Sequence, residues 1–235
     1  MNTTKIIIHG IGTMGTILKD IVEKDDSLEL AGFADNLTNE KGDVIVDFSH
    51  FSLIEDMLNY GVKNNIPIVI CTTGYDDKIL EKINEASKKI PIVLASNTSI
   101  GVTLMNEIVS KVASVLNDFD IEIVETHHNK KIDSPSGTAK TLYNTINNTL
   151  NNEMHLVNGR SGTHKREKKE IGMHSLRGGS VVGEHSVIFY GDDEAIEITH
   201  KAMSKKIFAH GSIKAAKFLV GNKSPKLYNM KEVLS

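Results

Sequence analysis

Short apolar runs punctuate the first hundred residues: Ile6-Ile7-Ile8, Leu28 to Phe33, Val44-Ile45-Val46, Ile68-Val69-Ile70 and Ile92-Val93-Leu94. Each matches the length of a strand covered on both faces, and helical-period stretches such as Gly15 to Lys24 and Asp76 to Lys88 separate some of them. The alternation predicts βαβ units and a parallel sheet. From about Asp120 the pattern changes. Ile121 to Glu125, Ser186 to Tyr190 and Ala195 to Thr199 alternate apolar with polar, the period-2 signature of a sheet with one face covered. Phe208 to Val220 returns to a helical period, and the Asn-rich stretch 144–152 reads as a polar helix end or turn. The expected fold class is α/β, with a second α+β unit between roughly Ser99 and Met203 and a final segment that rejoins the first.

Length and composition narrow the field. A chain of 235 residues buries a sizeable core in one large domain or two smaller ones. Net charge −3 gives no reason to expect nucleic acid or an anionic membrane surface as partner, so an anionic ligand must be met by a local basic patch. The single cysteine, Cys71, forms no intramolecular disulfide, and neither a secretion signal nor a long uncharged apolar run is evident. A cytoplasmic location is expected.

Gly10-Ile11-Gly12-Thr13-Met14-Gly15 follows the first apolar run directly and opens a helix. That context suits a dinucleotide: the glycines permit a tight turn and close backbone approach to a pyrophosphate, and the helix N-terminus supplies N–H groups. Asp35 ends the next strand, where its carboxylate suits the hydroxyls of an adenosine ribose. An ordinary glycine turn with a solvated Asp35 is the plainer reading. A 2′-phosphate needs a cation, and position 36 is Asn, so NADH is expected to serve at least as well as NADPH, although Lys41 or another cation could reach the phosphate.

The densest chemistry lies in Glu125-Thr126-His127-His128-Asn129-Lys130-Lys131-Ile132-Asp133-Ser134-Pro135-Ser136-Gly137-Thr138-Ala139. Ser136, Gly137 and Thr138 offer hydroxyls and N–H groups at the start of a helix expected from Ala139, close to two histidines that titrate near neutrality. Solvated histidines and an exposed lysine turn remain the alternatives on the residues alone. No metal is expected, because no cysteine or carboxylate–histidine pattern completes a ligand set.

The segment resembles the E-x-H-H-x-x-K-x-D-x-P-S-G-T-A signature of the dihydrodipicolinate (4-hydroxy-tetrahydrodipicolinate) reductase family. The resemblance extends along the chain through Asp47-Phe48-Ser49, Thr72-Thr73-Gly74, Ala95-Ser96-Asn97, Arg177-Gly178-Gly179, Val182 to His185, Ile198 to Ala202 and Tyr228-Asn229-Met230. It implies a Rossmann-type dinucleotide-binding domain over residues 1–98, an inserted α+β substrate-binding and tetramerisation domain over 99–203, and a segment 204–235 that completes the first. It also implies NAD(P)H-dependent reduction of a cyclic dicarboxylate in lysine and diaminopimelate biosynthesis, by a homotetramer.

Carried over by position, His127 is implied as proton donor or acceptor and Lys131 as proton donor, with His128, Ser136, Gly137 and Thr138 on the substrate. Gly10 to Gly15, Asp35, Cys71, Thr72, Thr73, Ala95, Ser96, Asn97 and Thr98 are implied on the cofactor. The chain departs from the family pattern in a glycine loop shorter by one residue, Thr13 in place of Arg, Cys71 in place of Gly and Thr98 in place of Phe. The basic run 159–169 reads as a solvated loop or as a lid in which His164 and Arg166 meet an anion. Two competing readings are a semialdehyde dehydrogenase with Cys71 as nucleophile and a dinucleotide sensor without turnover.

Overall fold

The computed structural model describes residues 3–221 and 224–235. In chain order the strands are β1 (Thr4–His9), β2 (Leu28–Ala34), β3 (Val44–Asp47), β4 (Ile68–Ile70), β5 (Ile92–Leu94), β6 (Asp120–His127), β7 (His155–Asn158), β8 (Glu170–Arg177), β9 (Gly183–Tyr190), β10 (Ala195–Ala202) and β11 (Leu227–Tyr228). The helices are α1 (Thr13–Val22), α2 (Ile54–Asn64), α3 (Asp77–Ser87), α4 (Ile100–Val115), α5 (Gly137–Thr149), α6 (Lys206–Gly221) and α7 (Met230–Leu234). The chain forms two compact units, Met1–Ile100 with Lys205–Ser235, and Gly101–Ser204.

The first unit is a parallel six-stranded sheet in the order β11-β5-β4-β3-β1-β2. The central stretches of its strands, such as Ile6-Ile7-Ile8, Val44-Ile45-Val46 and Ile68-Val69-Ile70, are apolar because both faces are covered there. Ile6, Ile8, Val44, Val46, Val69 and Val93 join residues of α1, α6 and α7 in one core, while Ile7, Ile45, Ile68, Ile70 and Ile92 join residues of α2 and α3 in the other. Adjacent residues of one strand thus serve opposite cores, as the two-residue strand period requires. Local chemistry fixes the helix ends. Asp76 caps α3 by accepting the Ile79 N–H at 3.0 Å, Asn65 ends α2 in the left-handed region, and Asn229 with Glu232 forms a capping box on α7.

The second unit is a mixed five-stranded sheet, order β10-β9-β6-β8-β7, in which β6, β8 and β7 are mutually parallel and β9 runs antiparallel to both β6 and β10. One face is covered: Ile121 and Ile123 of β6, Ile171 and Met173 of β8, and Val187 and Phe189 of β9 pack on α4 and α5. The Asn-rich stretch closes α5, with Asn151 and Asn152 at φ +61 and +59 just past its end. Among the described residues, no helix is long and apolar enough to cross a membrane.

Four elements differ from the sequence expectation. β7 and β8 escape the pattern because charged residues precede them, and β11 is only two residues long. Helix α5 begins at Gly137 rather than Ala139, because the Ser136 hydroxyl accepts the Ala139 N–H at 3.2 Å and sets the N-cap.

Within α6, a Cβ added at Gly211 would lie 1.7 Å from the Thr98 carbonyl oxygen. Gly211→Ala must displace backbone, so it should lower stability by about 3 kcal/mol or more, read as a fall in the denaturation midpoint. An unchanged midpoint would contradict this packing.

Candidate active site

In the first unit, the segments expected at a dinucleotide follow the C-terminal ends of parallel strands, where open α/β sheets bind ligands. Gly10 has φ +107, and a Cβ there would lie 2.6 Å from the Phe48 carbonyl; one at Gly15 would lie 1.8 Å from the Gly10 oxygen. The fold itself demands these two glycines. Gly12 is different: its φ is −71, and nothing stands within 4 Å of an added Cβ. No side chain caps α1, so the first-turn N–H groups remain available to an anion. Open space above an uncapped helix start fits a pyrophosphate.

Ile11 and Thr13 are exposed beside Gly12, while Met14 packs toward the core. The Asp35 carboxylate accepts the Ile11 N–H at 3.0 Å, which ties the end of β2 to the glycine loop. Asn36 and Lys41 are exposed. After β4, Thr73 is exposed, whereas Thr72 donates its hydroxyl to the Ser49 carbonyl at 3.2 Å. The Cys71 thiol is buried, and burial pushes its pKa well above the ordinary thiol range, with Asp47 adding to the effect. A buried, protonated thiol does not suit the nucleophile of a semialdehyde dehydrogenase. After β5, Ala95 is buried, Ser96 is exposed, Asn97 accepts the Ser99 N–H at 2.9 Å, and Thr98 donates to the Phe208 carbonyl at 2.7 Å. The Thr98 hydroxyl therefore holds α6.

In the second unit, β6 carries the covered stripe Ile121, Ile123, Glu125, His127, apolar at one end and polar at the other. Glu125 is fully buried and surrounded by donors. His127 Nδ1 lies 2.5 Å away, two Arg177 N–H groups approach at 2.8 Å each, and the Ser136 N–H donates at 3.1 Å. Burial pushes the Glu125 pKa up, but Arg177, Ser175, His127 and Ser136 outweigh it and hold the carboxyl at about 2. Glu125 is therefore an anion that fixes the His127 tautomer, with Nδ1–H donating to the carboxylate. Burial drives the His127 pKa below the usual histidine range, only partly offset by Glu125. At neutral pH the ring is mostly neutral and its Nε2 presents a lone pair, so a resting His127 accepts a proton rather than donating one. Beside that nitrogen sits Gly183, whose added Cβ would lie 3.0 Å from it.

The remaining signature residues cluster around this pair. Lys131 Nζ lies 2.6 Å from the Asp133 carboxylate, and Arg177 also donates to the Asp133 carbonyl at 2.7 Å. Ser136 Oγ lies 2.9 Å from His185 Nε2. The same oxygen accepts the Ala139 N–H, and burial keeps His185 neutral with a pKa of about 4. The Ser136 hydroxyl is thus committed on both sides. His128 is half-buried, its Nδ1 without a described partner, and Gly137 is exposed beside a half-buried Thr138. Glu125, Arg177, Gly183 and His185 were missed as site residues by sequence reasoning, although Arg177-Gly178-Gly179 and Gly183-Glu184-His185 stood out as blocks. Strand pairing brings them together: Glu125 lies opposite His185, and His127 opposite Arg177.

The basic run is largely tied down. Arg166 binds Asp120 at 2.7 Å and the Glu170 carbonyl at 2.6 Å, Arg160 pairs with Glu170, and Lys169 pairs with Glu153 at 2.6 Å; His164 is exposed. Arg166 therefore acts as a staple between β6 and the loop. Among the described residues, His155, Glu167 and Glu170 bring potential metal-ligating atoms within 4.8 Å of one another, but Arg160 already occupies Glu170.

Residues 101–234 match the C-terminal family profile of dihydrodipicolinate reductase, and residues 34–98 match its N-terminal profile. The chain belongs to the dihydrodipicolinate reductase family. It is 68% identical over 231 residues to the 4-hydroxy-tetrahydrodipicolinate reductase of Brachyspira hyodysenteriae, covering 98% of this chain and all of the relative. It is 41% identical over 248 residues to that of Clostridium novyi, covering 98% of each. The dipicolinate-bound dihydrodipicolinate reductase of Paenisporosarcina sp. TG-14 shares the fold, with TM-score 0.80, 21% identity and 97% of each chain covered. The diaminopimelate dehydrogenase of Corynebacterium glutamicum is a more distant fold neighbour, with TM-score 0.56, 13% identity, and 100% of this chain and 96% of that one covered. Dihydrodipicolinate reductases are nicotinamide-dinucleotide-dependent, in keeping with the cradle at Gly12.

Two outcomes follow from this geometry. Gly12→Ala should leave the thermal midpoint unchanged yet weaken NADH binding, since the new methyl meets only the space a ligand would fill; isothermal titration alongside calorimetric melting reads both. For Glu125, the folded-state pKa near 2 lies below the usual 4.5, so its stabilising contribution is complete above pH 4.5 and is lost as pH falls toward 2. Glu125→Gln should flatten that acid limb of the melting profile and cost about 3 kcal/mol at pH 7, since it leaves Arg177 without its anion. A limb identical to wild type would place the acid sensitivity elsewhere.

Proposed function

We propose that this chain catalyses the NAD(P)H-dependent reduction of 4-hydroxy-tetrahydrodipicolinate to tetrahydrodipicolinate, a step of lysine and diaminopimelate biosynthesis. The observation that carries this reading is the full-length 68% identity to a relative of that name. Overall the reaction consumes one hydride and one proton and releases water, and the bound dinucleotide supplies the hydride. The chain's own residues bind a dianion, hold it and manage the proton.

Lys131 is the proton donor in this reading, as its place in the family signature implies, because burial lowers the His127 pKa and leaves that ring mostly neutral. His127 Nε2 accepts a proton or hydrogen bond at the reacting end, oriented by Glu125 through Nδ1. The substrate carboxylates meet Lys131, His128 and the N–H groups that open α5 at Gly137 and Thr138, where helix dipole and positive charge offset the cost of burying anions. Because the Ser136 hydroxyl is committed to His185, Ser136 acts on the substrate through its position as N-cap.

Gly10 to Gly15 cradle the pyrophosphate, and Asp35 binds the adenosine ribose. The Asp35 carboxylate repels a 2′-phosphate and position 36 supplies no cation, so NADH is used at least as well as NADPH. The segments at Cys71 to Thr73 and Ala95 to Thr98 shape the nicotinamide end, with Thr73 and Ser96 exposed to it and Thr98 acting from behind through α6. A homotetramer built through the second-unit sheet would cover the exposed edge strand β10. A cytoplasmic location completes the reading.

Absorbance at the dihydronicotinamide band tests it, with freshly generated 4-hydroxy-tetrahydrodipicolinate. Wild type should oxidise NADH with kcat/KM equal to or above that for NADPH. His127→Ala and Lys131→Ala should each lower kcat by about a hundredfold or more while NADH still binds. NADH binding without turnover in wild type would overturn the reductase reading in favour of a sensor.

A further inference from the structure

Beneath the glycine loop lies a buried polar pair in which neither residue has been assigned a role. His9 ends β1 and Asp47 ends β3, and their side chains are 2% and 0% exposed. His9 Nδ1 lies 2.8 Å from Asp47 Oδ1, and His9 Nε2 lies 2.9 Å from the main-chain carbonyl oxygen of Asp35. A carbonyl oxygen only accepts, so Nε2 must carry a proton. A second proton must bridge Nδ1 and Oδ1. Asp47 Oδ1 also accepts the Ser49 N–H at 3.1 Å, and Asp47 Oδ2 is buried with no described partner, so His9 is the one side chain described as holding the Asp47 carboxyl.

We infer that His9 is an internal brace that positions Asp35, and through it the glycine loop, for the adenosine end of the dinucleotide. The geometry is a chain of three links. Asp47 holds His9, His9 holds the Asp35 carbonyl, and the Asp35 carboxylate holds the Ile11 N–H at 3.0 Å beside the open space above Gly12. Backbone pairing alone fixes β2 only as far as Ala34, whose carbonyl accepts the Gly10 N–H at 3.0 Å; Asp35 is the first residue beyond it. Without the brace, Asp35 is free to rotate about its own backbone, and its carboxylate loses the fixed aim that ribose recognition needs. His9 is thus a positioning residue, acting through Asp35. The inference rests on the reading of Asp35 as the ribose contact.

The test compares wild type, His9→Gln, the double variant His9→Gln/Asp47→Asn and Asp35→Ala, with NADH as titrant. Loss of one hydrogen bond should raise the NADH Kd about tenfold in His9→Gln, with the effect falling on KM for NADH more than on kcat or on KM for the dicarboxylate. The double variant, which removes the stranded carboxyl and so keeps the fold, should show the same weakened NADH binding. Unchanged NADH affinity in the His9 variants, with Asp35→Ala weakened, would overturn the brace and leave the ribose reading standing. Unchanged affinity in Asp35→Ala would remove the ribose reading itself.

Discussion

A carboxylate sealed away from water is tolerable only when donors surround it, and Glu125 meets that condition with an imidazole, a guanidinium fork, a serine hydroxyl and a backbone amide. The donors come from three stretches of chain: β6 itself, β8 at two positions, and the turn that opens α5. Satisfying one anion therefore fixes the relative placement of two strands and a helix start. The functional geometry is a by-product of that satisfaction. His127 is aimed because its other nitrogen is claimed, and the α5 N-terminus is aimed because the amide of its cap residue is claimed.

The first unit solves a related problem by different means. Its glycine loop combines two glycines required for internal packing with one that is not, so only the part facing outward retains open space. A parallel sheet covered on both faces has little room for buried charge, yet His9 and Asp47 sit at its strand ends. The pair is tolerated because both ring nitrogens of His9 face an acceptor, the Asp47 carboxyl and the Asp35 carbonyl.

Most of the fold was legible from period alone. Doubly covered strands read as unbroken apolar runs, and β6, β9 and β10 read as alternations because helices cover one face only. The strands that were missed follow charged residues whose partners lie far away in sequence, as Arg166 does with Asp120. Within the site, His127, Lys131 and the Ser136 turn were visible because they are contiguous. Arg177, Gly183 and His185 reach the site only through strand pairing, and nothing in their local sequence states which strand lies opposite. The direction of the His127 pKa was likewise hidden, since it depends on burial against the charge of Glu125.

The covered stripe of β6 grades from Ile121 and Ile123 into Glu125 and His127 on one face of one strand. A slip of a single residue in its pairing would turn all four outward together, stranding the core and dismantling the proton-handling pair in the same event. Misregistered molecules would therefore expose isoleucines to solvent and fail to persist, so the population that survives cellular quality control is also the population able to turn over substrate.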